Sequence, residues 1–281
     1  MTTVTISDDF DLKKIADSGQ SFRIKPLENG TFRFISGSEI LYIRKLSGKD
    51  YEISTFSASG SCSDIKKWNG IWADYFDLSR DYSSIRKLVP ASDTFLNEAC
   101  KNGKGLRILR QDPWEMIISF IISQRKSIPA IKRSIEEICR RFGTCVDTGK
   151  ETLFLFPSAK ELSKATEAEL KDCGLGYRVP YIIDAVSRVS RDEIKPYGLY
   201  SFEYDELFLR LKEIKGVGDK VSNCICLFAY GKTEAAPVDT WIAKVIEKYY
   251  SGVNPFPSYG ENAGIMQQYI FYYALTHKDN F

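Results

Sequence analysis

The sequence predicts an α+β fold, a small antiparallel sheet at the N-terminus followed by a mostly helical body. Three observations carry this expectation. Up to about residue 80 the chain alternates with period two and is rich in aromatic and β-branched residues. From about residue 85 the apolar spacing becomes helical. Helix-start signals then recur, at Asp112-Pro113, at Ser158 with Glu161 and at Thr166 with Glu169. The change divides the chain into a sheet domain, 1–84, and a helical domain, 85–281.

The strands are expected over 31–35, 40–44 and 51–56, with Gly30, Gly37 and Gly48 marking the turns, and with one or two helices beside them. In the second part, helices are expected over 113–123, 129–142, 159–164, 167–172, 179–191, 204–214, 219–230, 240–250 and 261–275. No repeat or low-complexity segment interrupts them.

Bulk composition excludes several classes. At 43% hydrophobic and 27% charged the chain can bury a core, so disorder is not expected. The apolar stretch 116–122 is too short to span a bilayer, and residues 1–9 lack the regions of a signal peptide, so an intracellular protein is expected. The seven cysteines form no CxxC pair, and His277 is the only histidine. Disulfides, a zinc site and an iron–sulfur cluster are therefore not expected. A net charge of +2 gives no wholesale attraction to nucleic acid, so any such binding needs local basic patches and backbone amides.

The segment 211–229 carries the most chemistry. An apolar helix ends at Ile214, the chain turns through Gly216-Val217-Gly218, and a second helix starts at once. Outward amides at that helix start suit a phosphate oxygen, although glycines closing a corner for packing would read the same way. Lys220 lies in the first turn, where the helix dipole disfavours a cation. That field, with burial near Cys224 and Phe228, is expected to lower its pKa and leave some neutral, nucleophilic amine. A solvated lysine on a long stem is the plain alternative. Asp239, in Pro237-Val-Asp239, opens the next helix as an N-cap, and could also face the site near Lys220.

These residues together resemble a known family. Gly-Val-Gly-x-Lys followed by Pro-Val-Asp is similar to the helix–hairpin–helix DNA glycosylase superfamily, and within it to the 8-oxoguanine DNA glycosylases. The resemblance extends over Ser18-Gly-Gln-Ser-Phe-Arg23, Gly105 to Pro113, Gly174-Leu-Gly-Tyr-Arg178 and Ala263-Gly-Ile-Met-Gln267, in the family's order. It implies an N-terminal sheet domain like that of TATA-binding protein, packed on the helical body with the active site between them. It implies Lys220 as Schiff-base nucleophile and Asp239 as catalytic carboxylate, acting on duplex DNA that contains 8-oxoguanine, without cofactor or metal and as a monomer. Gly19 matches the glycine whose carbonyl accepts the N7–H of the oxidised base. Cys224 and Phe271 match the residues that sandwich that base, and Gln267 the one that reads its Watson–Crick edge. Tyr177 and Arg178 match the pair that wedges the duplex. Taken alone, Gly19 reads as a turn, Cys224 and Phe271 as core, and Tyr177-Arg178 as a surface loop.

Departures from the family pattern lie in the loop 123–130. Members that demand cytosine opposite the lesion carry an asparagine and an arginine there, where this chain has Arg125 and Ala130. A relaxed opposite-base preference is therefore expected. Trp241 stands where a phosphate-binding histidine is frequent. The alternatives left open are a non-catalytic hairpin module that binds DNA and a monofunctional alkylpurine glycosylase, which usually lacks the lysine.

Overall fold

The three alternating runs pair into one antiparallel sheet. The computed structural model describes residues 2–60 and 62–280. Strands β1 (Thr2–Thr5), β2 (Lys25–Pro26), β3 (Thr31–Ser36), β4 (Glu39–Ser47) and β5 (Asp50–Ser57) lie in the order β1-β5-β4-β3-β2. Helix α1 (Leu12–Asp17) connects β1 to β2. The turns at Gly37 and Gly48 have φ of +58° and +52°, which glycine adopts without a steric penalty.

The sheet is covered on both faces. Phe34, Leu41, Ile43 and Ile53 pack on Trp68, Trp72, Tyr75 and Phe76. Those rings come from a helical stretch comprising α2 (Asp64–Lys67), a π turn at Trp68–Trp72, and α3 (Ala73–Tyr75). On the opposite face Ile35, Ile40 and Tyr42 pack on Leu153 and Leu155, contributed by and beside a small hairpin of β6 (Cys145–Asp147) and β7 (Thr152–Phe154). Sequence periodicity does not show this hairpin, because three-residue strands are too short to establish alternation.

The second part begins with α4 (Tyr82–Arg86) and α5 (Thr94–Asn102), neither delimited from sequence, although Asp81 and Asp93 cap them. All the later helices appear where expected: α6 (Pro113–Ser123), α7 (Ile128–Phe142), α8 (Ala159–Leu162), α9 (Glu167–Asp172), α10 (Val179–Ser190), α11 (Tyr204–Lys212), α12 (Asp219–Phe228), α13 (Thr240–Tyr250) and α14 (Ala263–Thr276). Their starts follow local chemistry. Asp112 accepts from Glu115 N, and Ser158 and Thr166 form reciprocal capping boxes with Glu161 and Glu169.

Two extended segments run along the seam between the lobes. Phe22 belongs to the helical core and Leu109 to the sheet core. The buried Gln20 amide stitches them, donating to Arg107 O at 2.8 Å and accepting from Leu109 N at 2.8 Å. Gln268 of α14 donates to Ser18 O at 2.8 Å. The turn at Gly19 is thereby held against α14.

Candidate active site

The hairpin after α11 depends on its first glycine. Gly216 has φ +84°, and a β-carbon there would run into the Tyr181 ring. Val217 is buried, and Gly218 forms the N-cap of α12 with no side chain to offer its amides. The start of α12 is therefore an uncapped, positively polarised helix end. Ser222 Oγ, one turn in, donates to Phe208 O at 2.8 Å and ties α12 to α11.

Lys220 and Cys224 are one turn apart on α12, and Gln267 and Phe271 one turn apart on α14, so each helix presents its pair on one face. The two faces meet in a narrow cleft of about 60 Å³, lined by Gly19, Phe120, Lys220, Cys224, Phe228, Pro237, Asp239, Gln267, Gln268 and Phe271. Every expected catalytic and base-pocket residue is in that list, drawn from segments far apart in the chain. A larger groove of about 330 Å³ between α8, α9 and α10 has neither an aromatic ring nor a lysine in its lining.

Within the cleft the Lys220 Nζ lies 5.6 Å from the centre of the Phe120 ring, a cation–π arrangement. It also reaches the Cys224 thiol. Burial pushes that thiol above its ordinary pKa, and Lys220 pulls it part of the way back. Cys224 is 3% exposed and stays a neutral, apolar wall. Asp239 has both of the roles its position allowed: Oδ1 accepts from Ile242 N at 2.9 Å as the cap of α13, and the carboxylate lines the cleft. Gln267 is 3% exposed, and its Oε1 has no hydrogen-bond partner among the described residues. An orphaned buried acceptor in a cleft is where a ligand donor belongs. Gly19 has φ +77°, and its absent side chain leaves room for the Phe271 ring.

Besides the hairpin Gly216–Gly218, the residues expected to bind DNA are Arg125, Tyr177 and Arg178, which lie in two adjoining loops. Arg125 is exposed at φ +49°, and Tyr177 is 52% exposed. Arg178, unlike Arg125 and Tyr177, lies inward. It is only 6% exposed, and its guanidinium donates to the carbonyls of Gln124 and Leu175 rather than extending outward. The physical reason is the Gln124 carbonyl at the end of α6, which the guanidinium satisfies.

Sequence reading placed Phe228 beside Lys220 but missed Phe120 and Gln268 as lining residues. Phe120 sits in helix α6, which is buried along nearly its whole length, so no periodicity singles out a functional face. Gln268 did leave a signal, as a second glutamine in an apolar helix. Trp241 carries Lys244 Nζ 5.1 Å from its ring centre. Among the described residues no group of three or more His, Cys, Asp or Glu side chains could hold a metal, and no helix is long and apolar enough to cross a membrane.

An amine and a carboxylate facing one slot, behind a hairpin with free amides, make this a helix–hairpin–helix base-excision protein. Residues 118–263 match the HhH-GPD superfamily of base excision DNA repair proteins, and residues 3–117 match the 8-oxoguanine DNA glycosylase N-terminal domain. The chain belongs to the 8-oxoguanine DNA glycosylase family within that superfamily. It is 33% identical over 228 residues to a probable N-glycosylase/DNA lyase of Methanothermobacter thermautotrophicus, covering 71% of this chain and 72% of that one. It is 30% identical over 260 residues to the N-glycosylase/DNA lyase of Saccharomyces cerevisiae, covering 85% and 68%. The solved 8-oxoguanine glycosylase/lyase of Clostridium acetobutylicum superposes with a TM-score of 0.87 at 34% identity, covering 97% of this chain and 95% of that one. Likeness to the 3-methyladenine DNA glycosylase of Archaeoglobus fulgidus, at 17% identity and a TM-score of 0.75, is one of fold.

Proposed function

We propose that this bifunctional 8-oxoguanine glycosylase and AP lyase works through Lys220 and Asp239, on a base everted into the cleft between Cys224 and Phe271. The observation that carries the reading is the convergence of amine, carboxylate, orphaned glutamine oxygen and aromatic wall in one slot.

The amides opening α12, after Gly216, Val217 and Gly218, grip a phosphate beside the lesion. Eversion costs a few kcal/mol of stacking and pairing, which stacking on Phe271 and contact with Cys224 offset. Gly19 O accepts the N7–H of 8-oxoguanine. Guanine presents a lone pair there instead, and leaving such a buried acceptor unpaired costs about 1–3 kcal/mol. Gln267 takes the Watson–Crick edge.

The nitrogen of Lys220 attacks C1′, and the electron pair of the glycosidic bond departs with the base. Asp239 stabilises the positive charge that develops on the sugar. Loss of the amine proton and opening of the ring leave an imine at C1′. Removal of a C2′ proton then expels the 3′ phosphate by β-elimination.

Borohydride trapping on an 8-oxoguanine duplex tests the assignment. The wild type is expected to give a covalent protein–DNA adduct and Lys220→Gln none. An adduct retained by Lys220→Gln would remove this lysine from the mechanism.

A further inference from the structure

Two loops meet at one carbonyl. Gln124 O accepts from Nε of Arg178 at 3.0 Å, from its Nη2, and from the Tyr177 hydroxyl at 3.4 Å. The same guanidinium donates through Nη1 to Leu175 O at 3.2 Å and lies 4.4 Å from the centre of the Tyr177 ring. A second staple stands two residues on, where Lys126 Nζ donates to Gly174 O at 2.7 Å and to Ser134 Oγ.

Arg125 sits between the staples, exposed and at φ +49°. A residue with a β-carbon holds the left-handed region only where its surroundings over-determine it. The surroundings also include crowded like charges. Burial, then Arg178 and Arg133, lower the Lys126 ammonium from its ordinary pKa. Among the described residues the polar partners of Arg178 and Lys126 are carbonyl and hydroxyl oxygens, none of them a carboxylate. A loop both strained and crowded with cations does not keep its shape unaided, so its hydrogen bonds with 174–178 are what hold it.

We infer that Arg178 and Lys126 are positioning residues that fasten the loop 123–127 to the loop 174–178. The fastened loops meet the duplex as one preformed surface with Arg125 at its tip. Arg178 acts on the loop through the backbone of Gln124. The inference rests on the proposed function only in naming DNA as what this surface meets.

Backbone hydrogen–deuterium exchange on the DNA-free protein separates the two roles. Arg178→Ala should raise exchange across 123–127 by about tenfold or more while the amides of β4 keep wild-type protection. Arg178→Lys should behave like Arg178→Ala, because a lone ammonium cannot supply the planar fork. Lys126→Met should loosen the same segment and serves if Arg178→Ala does not fold. With a lesion duplex, Arg178→Ala should raise KM by about tenfold with kcat nearly unchanged. Wild-type exchange at 123–127 in the folded variants, or recovery of both loop protection and KM by Arg178→Lys, overturns the inference. The exchange is read without substrate, so its outcome is independent of whether Lys220 forms an adduct.

Discussion

The edge of Phe271 occupies the space a side chain at position 19 would need: its Cε1 lies 3.0 Å from where a β-carbon on Gly19 would stand. The backbone there is also left-handed, at φ +77°. Gly19→Ala must therefore push the ring into the base slot and strain the turn. Excision of 8-oxoguanine should fall by about tenfold or more, and stability by about 1 kcal/mol. Single-turnover kinetics and a denaturant melt measure the two effects separately.

Asp239 combines a cap with a cleft-lining carboxylate, and an amide can do only the first. Asparagine caps helices about as well as aspartate. Asp239→Asn should keep the wild-type melting temperature while excision drops by roughly 10²- to 10³-fold, the scale of losing one preorganised electrostatic group. A variant that melts early and excises normally would make Asp239 a cap and nothing more.

The Oε1 of Gln267 has no protein partner among the described residues. Replacing it with leucine of similar size removes a buried, unsatisfied acceptor. Gln267→Leu should stabilise the chain by about 1 kcal/mol and lower kcat/KM for the lesion. Thermal melts and steady-state kinetics should move in opposite directions, and a loss of both would mean that the oxygen is satisfied in solution.

Glu115 lies under the seam, where burial, opposed by Arg23 and reinforced by Asp112 and Glu136, raises its pKa to about 8. The folded value lies above the unfolded one, so its stability contribution is complete below the ordinary carboxylate value of 4.5 and is lost as pH rises through about 8. Glu115→Gln stays neutral throughout. Relative to wild type, this variant should gain melting temperature between pH 5 and pH 8.5. A difference that does not change with pH would show that the carboxyl titrates outside this window.

With Arg125 and Ala130 in place of the residues that select cytosine, excision opposite cytosine and opposite adenine should differ by less than about tenfold, one base-reading pair being worth about 1–3 kcal/mol. Single-turnover rates on the two duplexes decide this. A steep fall opposite adenine would point to a selecting residue outside 123–130.

Much of this was legible without coordinates. Asp112, Ser158 and Thr166 announced their helices because a cap is made with residues three positions away. The Gly216–Gly218 turn and Lys220 were legible for the same reason. The missed elements lacked such local marks. The β6–β7 hairpin is held by contacts of Leu153 and Leu155 with a sheet about a hundred residues earlier, and Phe120 is one apolar residue among many in α6.

The sequence by itself determined where most helices start, which side chains share a helix face, and which amine and carboxylate could react. Tertiary structure alone decided that the faces of α12 and α14 close on Gly19, that Gln267 is buried in the cleft lining, and that Arg178 turns inward to a carbonyl. Caps and i,i+4 faces are written within a turn or two of chain. A cleft exists only where segments distant in sequence pack, and the hydrogen-bond partner a buried donor takes depends on what that packing brings within about 3 Å.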